Sequence, residues 1–229
     1  MGATVVYVHG LWLSGHEAFL LGRRLEKERG YEWRPFNYAS TLLTMAQISD
    51  ALDQFIRALN VPQVHLVGHS LGGLVILRCL ERHPEQPPGR VVFLGTPSLT
   101  SRVANAVCRF RFGRALLGQA AGEELLSVHE RQWHHARELG IIAGNQALSL
   151  GRLVVEFQED NDGTVAVSET LLPGAKAHLV LPVSHTGMLL SPRVAHEVGQ
   201  FLETGRFGPA AAAGKEPAAQ ASGSAPRSA

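Results

Sequence analysis

The chain has 229 residues, of which 45% are hydrophobic and 18% charged, enough for one α/β domain with a sizeable core and too little for two full ones. A formal net charge of +1 gives no general electrostatic case for nucleic acid. Two cysteines, Cys79 and Cys108, stand in neither a CxxC nor a zinc spacing; both are expected to be reduced, which fits a cytoplasmic protein, and no uninterrupted apolar run is long enough to span a bilayer.

Strand-like and helix-like patterns alternate from the start. Thr4 to Val8 leads directly into His9-Gly10 and reads as a first strand rather than as a signal peptide. Glu32 to Tyr38 is a weaker strand candidate. Ile48, Leu52, Phe55, Ile56 and Leu59 then repeat at the spacing of one helical face. Val64 to Val67 precedes Gly68-His69-Ser70-Leu71-Gly72, and Leu71, Leu74, Val75, Ile76, Leu77 and Leu80 continue as an apolar helix carrying Cys79. Further strands are predicted at Val91 to Leu94, Ile141 to Ala143 and His178 to Leu181. Lacking polar alternation, these runs read as buried parallel strands. The last helix has Ser191 as N-cap, Pro192 at its first position, Val194, Val198, Phe201 and Leu202 facing inward, and Gly205 as its stop. This order predicts a doubly wound, mostly parallel sheet with helices on both faces, in one domain over 1–207. Residues 98–137 contain no clear strand and are expected to form a helical cover or lid over one end of the sheet. Residues 208–229, rich in Ala, Gly, Pro and Ser, are expected to be a disordered tail.

The chemistry gathers at the predicted strand ends. A serine between a strand and a helix, with glycines two residues away on each side, sits on a sharp, strained turn, where a Cβ at either glycine would collide with the adjoining strand or helix. The turn lifts the Ser70 hydroxyl above the sheet and aims the Leu71 N–H at the same space. A nucleophile there needs a base, an orienter for that base and a second oxyanion donor. His185 follows the last strand in Val183-Ser184-His185-Thr186-Gly187 and is singled out from 11 histidines by that position. Asp162 and Asp160 are both placed to orient it, on the loop between the last two strands. After the first strand, Gly10 permits a close approach and the Leu11 N–H is the expected second donor. His9 is expected to brace that loop, and Trp12 either lines the acyl pocket for the substrate or simply packs. His69 is expected to point away from the hydroxyl and to pack. His129, His134 and His135 complete no metal-ligand spacing, so no metal is expected.

From Thr4 to Phe207 the chain resembles bacterial α/β-hydrolases of the lipase and carboxylesterase type. The resemblance rests on Val8-His9-Gly10-Leu11, Gly68-His69-Ser70-Leu71-Gly72-Gly73, Leu94-Gly95-Thr96-Pro97, Asn161-Asp162-Gly163-Thr164-Val165 and Ser184-His185-Thr186-Gly187-Met188. It favours Asp162 over Asp160, and the order Ser70, Asp162, His185 is that of the α/β-hydrolases. It implies a serine hydrolase without cofactor, acting on small-molecule or lipid acyl esters through an acyl-enzyme. A thioesterase or acyltransferase is the alternative, because the same groups serve any acyl donor; a non-catalytic scaffold is a third class, which the presence of all three side chains disfavours. The resemblance also implies that the chain begins at the family's third strand, with a sheet of about six strands, and that the stretch between Ile142 and Asp162 is longer than usual. The apolar and basic residues of Arg102 to Leu117 are read as a packed cover with a solvated basic edge, or as a lid in peripheral contact with a membrane.

Overall fold

A computed structural model describes residues 3–98, 119, 120, 122, 124, 131–147 and 159–208. Six strands, β1 (Thr4–Val8), β2 (Glu32–Phe36), β3 (Val64–His69), β4 (Val91–Leu94), β5 (Leu139–Gly144) and β6 (Ala177–Leu181), form one sheet in the order β2-β1-β3-β4-β5-β6. Every pairing is parallel. The sheet is sandwiched as its sequence order predicts. Val5 and Tyr7 face the helices α1 (Phe19–Arg29) and α4 (Pro192–Thr204), whereas Val6 and Val8 face α2 (Met45–Ala58) and α3 (Leu71–Arg82). The alternation is that of a strand buried on both sides, and β1, β3, β4 and β5 are buried at every position.

The helices are set by their caps as well as by their apolar faces. Thr44 Oγ1 accepts the Gln47 N–H while the Gln47 side chain accepts from the Thr44 N–H, a reciprocal cap that starts α2. Ser191 accepts the Val194 N–H, Pro192 opens α4, and Gly205 ends it in the left-handed conformation, φ 72°. Strand boundaries move by a few residues from those expected. The largest change is at β2, which stops at Phe36 because Tyr38 leaves the ladder: its N–H donates to His9 Nε2 at 3.2 Å and its hydroxyl to the His9 carbonyl at 2.7 Å. As the edge strand, β2 carries Pro35 and the exposed Glu32 and Arg34, residues that discourage further strand addition.

The strand order runs outward in both directions from β1 and β3, so the sheet has its switch point there. In such sheets the crevice outside the carboxyl ends of the strands receives ligands. The loops leaving β1 and β3 are those of Gly10–Leu11 and Ser70. Of the expected helical cover, Gln119, Ala120, Gly122 and Glu124 are helical but 131–137 are not, and Glu124 is gripped by Arg78 of α3 at 2.6 Å and by Arg131 at 3.0 Å. Arg102 to Leu117, His129, most of the stretch between Ile142 and Asp162, and the tail from Pro209 lie outside the described residues. Among the described residues no helix is long and apolar enough to cross a membrane.

Candidate active site

Ser70 joins β3 to α3 with φ 54° and ψ −124°, a conformation that non-glycine residues rarely adopt. The close approach around it accounts for both glycines. A Cβ on Gly72 would lie 2.0 Å from the Val8 carbonyl oxygen, and one on Gly68 would lie 2.6 Å from the Gly73 Cα. The turn is held by its own N–H, which donates to the Leu94 carbonyl at 2.9 Å. Ser70 is half-buried, and its Oγ makes no hydrogen bond among the described residues. Catalytic hydrogen bonds often form only once substrate is bound.

His185 and Asp162 come together although 23 residues separate them. His185 Nδ1–H donates to Asp162 Oδ2 at 2.7 Å, and the backbone N–H of His185 donates to the Asp162 carbonyl at 2.9 Å. The aspartate is 2% exposed. Its other carboxylate oxygen, Oδ1, accepts the N–H groups of Thr164 at 2.9 Å and Val165 at 2.7 Å, so the Asp-Gly turn fixes the carboxylate before it meets the imidazole. With Nδ1–H committed to Asp162, Nε2 is left as the ring's proton acceptor. Among the described residues Asp160 accepts only the Val167 N–H, through its backbone carbonyl.

Gly95 links this pair to the elbow. It follows Leu94, the acceptor of the Ser70 N–H, and its φ is 55°; a Cβ there would lie 3.0 Å from both Asp162 Oδ2 and His185 Nδ1. Gly144, at the end of β5, clears the space that the Asp162 Cβ takes, 2.8 Å from where its own Cβ would be. Gly95 stands in the Leu94-Gly95-Thr96-Pro97 stretch that carries the resemblance, whereas no motif singles out Gly144. Their common signal is a glycine at the carboxyl end of a buried parallel strand.

The first loop approaches from the other side. A Cβ on Gly10 would lie 3.0 Å from the Ser70 Cβ. Among the described residues the Leu11 N–H has no acceptor, and Leu71 begins α3 with its N–H at the helix N-terminus. His9 braces the loop: Nδ1–H donates to the Gly10 carbonyl at 2.7 Å, Nε2 accepts from Tyr38, and the two rings stack at 4.1 Å. Glu17, which motif reasoning missed, closes the same loop by accepting the N–H groups of Ser14 and Gly15 and the Tyr7 hydroxyl. Trp12 stands at the rim, 57% exposed, with φ 60° and its N–H on Ser40 Oγ. Contrary to simple packing, His69 has a directed contact: buried behind the elbow, it donates from Nε2 to the His185 carbonyl at 2.9 Å. Burial and the neighbouring His185 push its imidazole down to about 3, which keeps it neutral. His134 and His135 lie at the opposite end of the sheet, in a cleft of about 540 Å³ that also holds Arg90 and Arg137.

The chain matches the profile of the alpha/beta hydrolase family over residues 5–198. It is 39% identical over 59 residues to the provisionally named carbamate hydrolase RutD of Serratia proteamaculans, a match spanning 26% of this chain and 22% of that protein's length. Among solved structures, the mature lipase BlEst2 of Bacillus licheniformis superposes with a TM-score of 0.68 at 19% identity, covering 88% of this chain and 91% of the lipase. The RedJ thioesterase of Streptomyces coelicolor superposes with a TM-score of 0.59 at 14% identity, covering 86% and 89%. At these identities the two structures share the fold with this chain.

Proposed function

The chain belongs to the α/β hydrolase family, and from that premise we propose that it is a serine hydrolase cleaving carboxylic esters through an acyl-enzyme. The observation that carries this reading is the 2.7 Å hydrogen bond from His185 to the buried Asp162, at the end of the sheet where Ser70 occupies its strained turn. In this mechanism His185 Nε2 takes the Ser70 proton as Oγ attacks the ester carbonyl. The N–H groups of Leu11 and Leu71 bind the oxyanion, and Asp162 stabilises the imidazolium and holds its tautomer. His185 then returns the proton to the departing alcohol. Water attacks the acyl-enzyme by the same route, releasing the acid and restoring Ser70. Trp12, exposed beside Leu11, lines the entry for the substrate, a small-molecule or lipid acyl ester, and the reaction draws on no cofactor. Cys79, a buried free thiol pushed up to about 12 by burial, suits a reducing, cytoplasmic setting.

A fluorophosphonate probe tests the nucleophile: it should label the wild-type chain and not Ser70→Ala, and Ser70→Ala should lower ester turnover by several orders of magnitude while remaining folded. Retained turnover or labelling in that variant removes Ser70 from the mechanism. The same acyl-enzyme forms from thioesters, so parallel panels of p-nitrophenyl esters and acyl-CoAs decide between an esterase and a thioesterase.

A further inference from the structure

The outer face of α1 carries a combination that an ordinary water-facing helix does not need. The helix buries Leu21, Gly22 and Leu25 against the sheet. At about 3.6 residues per turn, the face directly opposite is made by Phe19, Leu20, Arg23 and Lys27, with Arg24 beside them and the exposed Glu26 and Glu28 at its flanks. Phe19 is 59% and Leu20 44% exposed, and Leu190, on the neighbouring loop before α4, is 54% exposed. Arg24 joins the two elements by donating to the Leu190 carbonyl at 2.7 Å. Arg23, Arg24 and Lys27 line a shallow crevice of about 360 Å³ with Phe19 and Leu20, and the Arg23 guanidinium stands 5.7 Å from the centre of the Phe19 ring. Elsewhere Arg29, Arg57, Arg78, Arg82, Arg90 and Arg193 each pair with a carboxylate. Among the described residues Arg23, Arg24 and Lys27 do not.

We propose that this face docks the protein on a membrane surface rich in anionic headgroups. Phe19, Leu20 and Leu190 enter the boundary between headgroups and acyl chains. The three basic side chains lay their alkyl stems along that apolar surface and bring their charges to the phosphates. The charge pattern favours lipid over protein. Three cations that no carboxylate among the described residues neutralises complement a negative surface, and the apolar part is a few side chains, whereas a stable protein interface takes about 20–30 residues a side. α1 follows the Gly10 loop, so its first turns lie toward the carboxyl end of the sheet, the end that carries Ser70. That lipid acyl esters are then the substrates rests on the ester-hydrolase reading; the docking itself does not.

The test is co-sedimentation of the full-length Ser70→Ala protein, which cannot consume the vesicles by this mechanism, with phosphatidylcholine vesicles and with vesicles containing phosphatidylglycerol. The expected result is binding to the anionic vesicles only, weakened by added salt. Arg23→Glu combined with Lys27→Glu should lower the partition coefficient on the order of thirtyfold, from about fivefold per basic residue at the surface. Phe19→Ser combined with Leu20→Ser should lower it at least about tenfold. All four positions are exposed, so the variants keep the fold. In the Ser70 background both pairs should turn over a water-soluble short-chain ester at the parent rate. Equal vesicle binding by parent and variants, or binding to neutral vesicles regardless of salt, overturns the docking. Self-association without lipid that is lost in Phe19→Ser/Leu20→Ser also overturns it, by assigning the face to a second copy of the chain. Vesicle binding without turnover of any ester leaves the docking standing and removes the hydrolase reading instead.

Discussion

His69 donates a hydrogen bond from Nε2 to the carbonyl oxygen of His185 across 116 residues of sequence, at 2.9 Å, with the two rings 4.7 Å apart. The residue before the candidate nucleophile therefore holds the loop of the candidate base. His69→Phe removes the donor and leaves a part-buried carbonyl unpaired, a loss of about 1 kcal/mol or more that falls on the placement of the imidazole. We expect kcat/KM for a soluble ester to fall on the order of tenfold to a hundredfold. His69→Gln, which can offer an amide N–H to the same carbonyl, should recover much of it. A proton NMR signal from the His185 Nδ1–H bonded to Asp162 should broaden or shift in the Phe variant and return in the Gln variant. Wild-type kinetics and an unchanged resonance in His69→Phe would reduce His69 to packing.

Asp162 is held by three N–H donors before any substrate arrives, two on Oδ1 and one on Oδ2. Asp162→Asn keeps the shape and an oxygen for the turn N–H groups, but its amide presents hydrogens toward His185. The imidazole must then turn its lone pair to Nδ1, leaving Nε2 protonated and unable to accept from Ser70. Turnover should fall on the order of 10³–10⁴-fold with little change in melting temperature, the scale expected when an orienting carboxylate is replaced and the wrong tautomer results. Turnover within tenfold of wild type would instead pass the orienting role to Asp160.

Close backbone approach at the elbow makes a contrast between two glycines informative. Gly72→Ala drives a Cβ to 2.0 Å from the Val8 carbonyl oxygen and 2.6 Å from that of His9, so the end of β1 must move, at a cost of about 3 kcal/mol. Gly30, which caps α1 at φ 67°, has nothing within 4 Å of an added Cβ; Gly30→Ala meets only the left-handed backbone penalty, about 1 kcal/mol. Urea midpoints of the two variants should differ accordingly. Equal losses would mean that the β1 end yields freely, contrary to its packing against α3.

Much of this rim is legible in the chain because strand ends leave local signals. Ser70 is bracketed by glycines between an apolar run and a helical one, and Asp162 and His185 each lie in a turn-rich loop after one of the last two strands. What is not legible depends on contacts between segments far apart. Tyr38 reads as a continuation of β2 and instead turns back to His9. Gly144 reads as an ordinary strand-end glycine, and Gly95 only as part of a motif, until Asp162 and His185 are seen to fill the space that their missing side chains leave. His69 is harder still, since its value lies in a carbonyl supplied by a loop 116 residues away. The cap Thr44-x-x-Gln47 is a local signal, but its polar residues lie inconspicuously among the turn residues before α2.

Buried neutral histidines give the fold a pH dependence whose sign follows from their shifts. Burial, reinforced by Arg90 and Arg137, pushes His65 down to about 4, and burial pushes His69 down to about 3. His65 Nδ1 accepts the Arg90 N–H at 2.9 Å, so protonating it would set two donors against each other. In the unfolded chain both imidazoles return to their ordinary value of about 6.5. Below that value the unfolded state binds protons that the folded state refuses, so stability rises with pH up to about 6.5 and these groups contribute no slope above it. At about pH 5 each should have lost about 2 kcal/mol of stability relative to neutral pH. His9 and His178, also lowered by burial, add in the same direction. Glu138, held below its usual range by its bonds to Lys176 and Arg90, changes stability only at more acid pH, outside this window. Urea midpoints measured from neutral pH down to about pH 5 should therefore fall steadily. His65→Gln, which keeps an acceptor for the Arg90 N–H but cannot titrate, should recover about 2 kcal/mol of the loss at the acid end. A midpoint that stays level across this range, or a His65→Gln curve parallel to the wild type, would show that the imidazole of His65 takes up its proton in the folded protein as readily as in the unfolded chain.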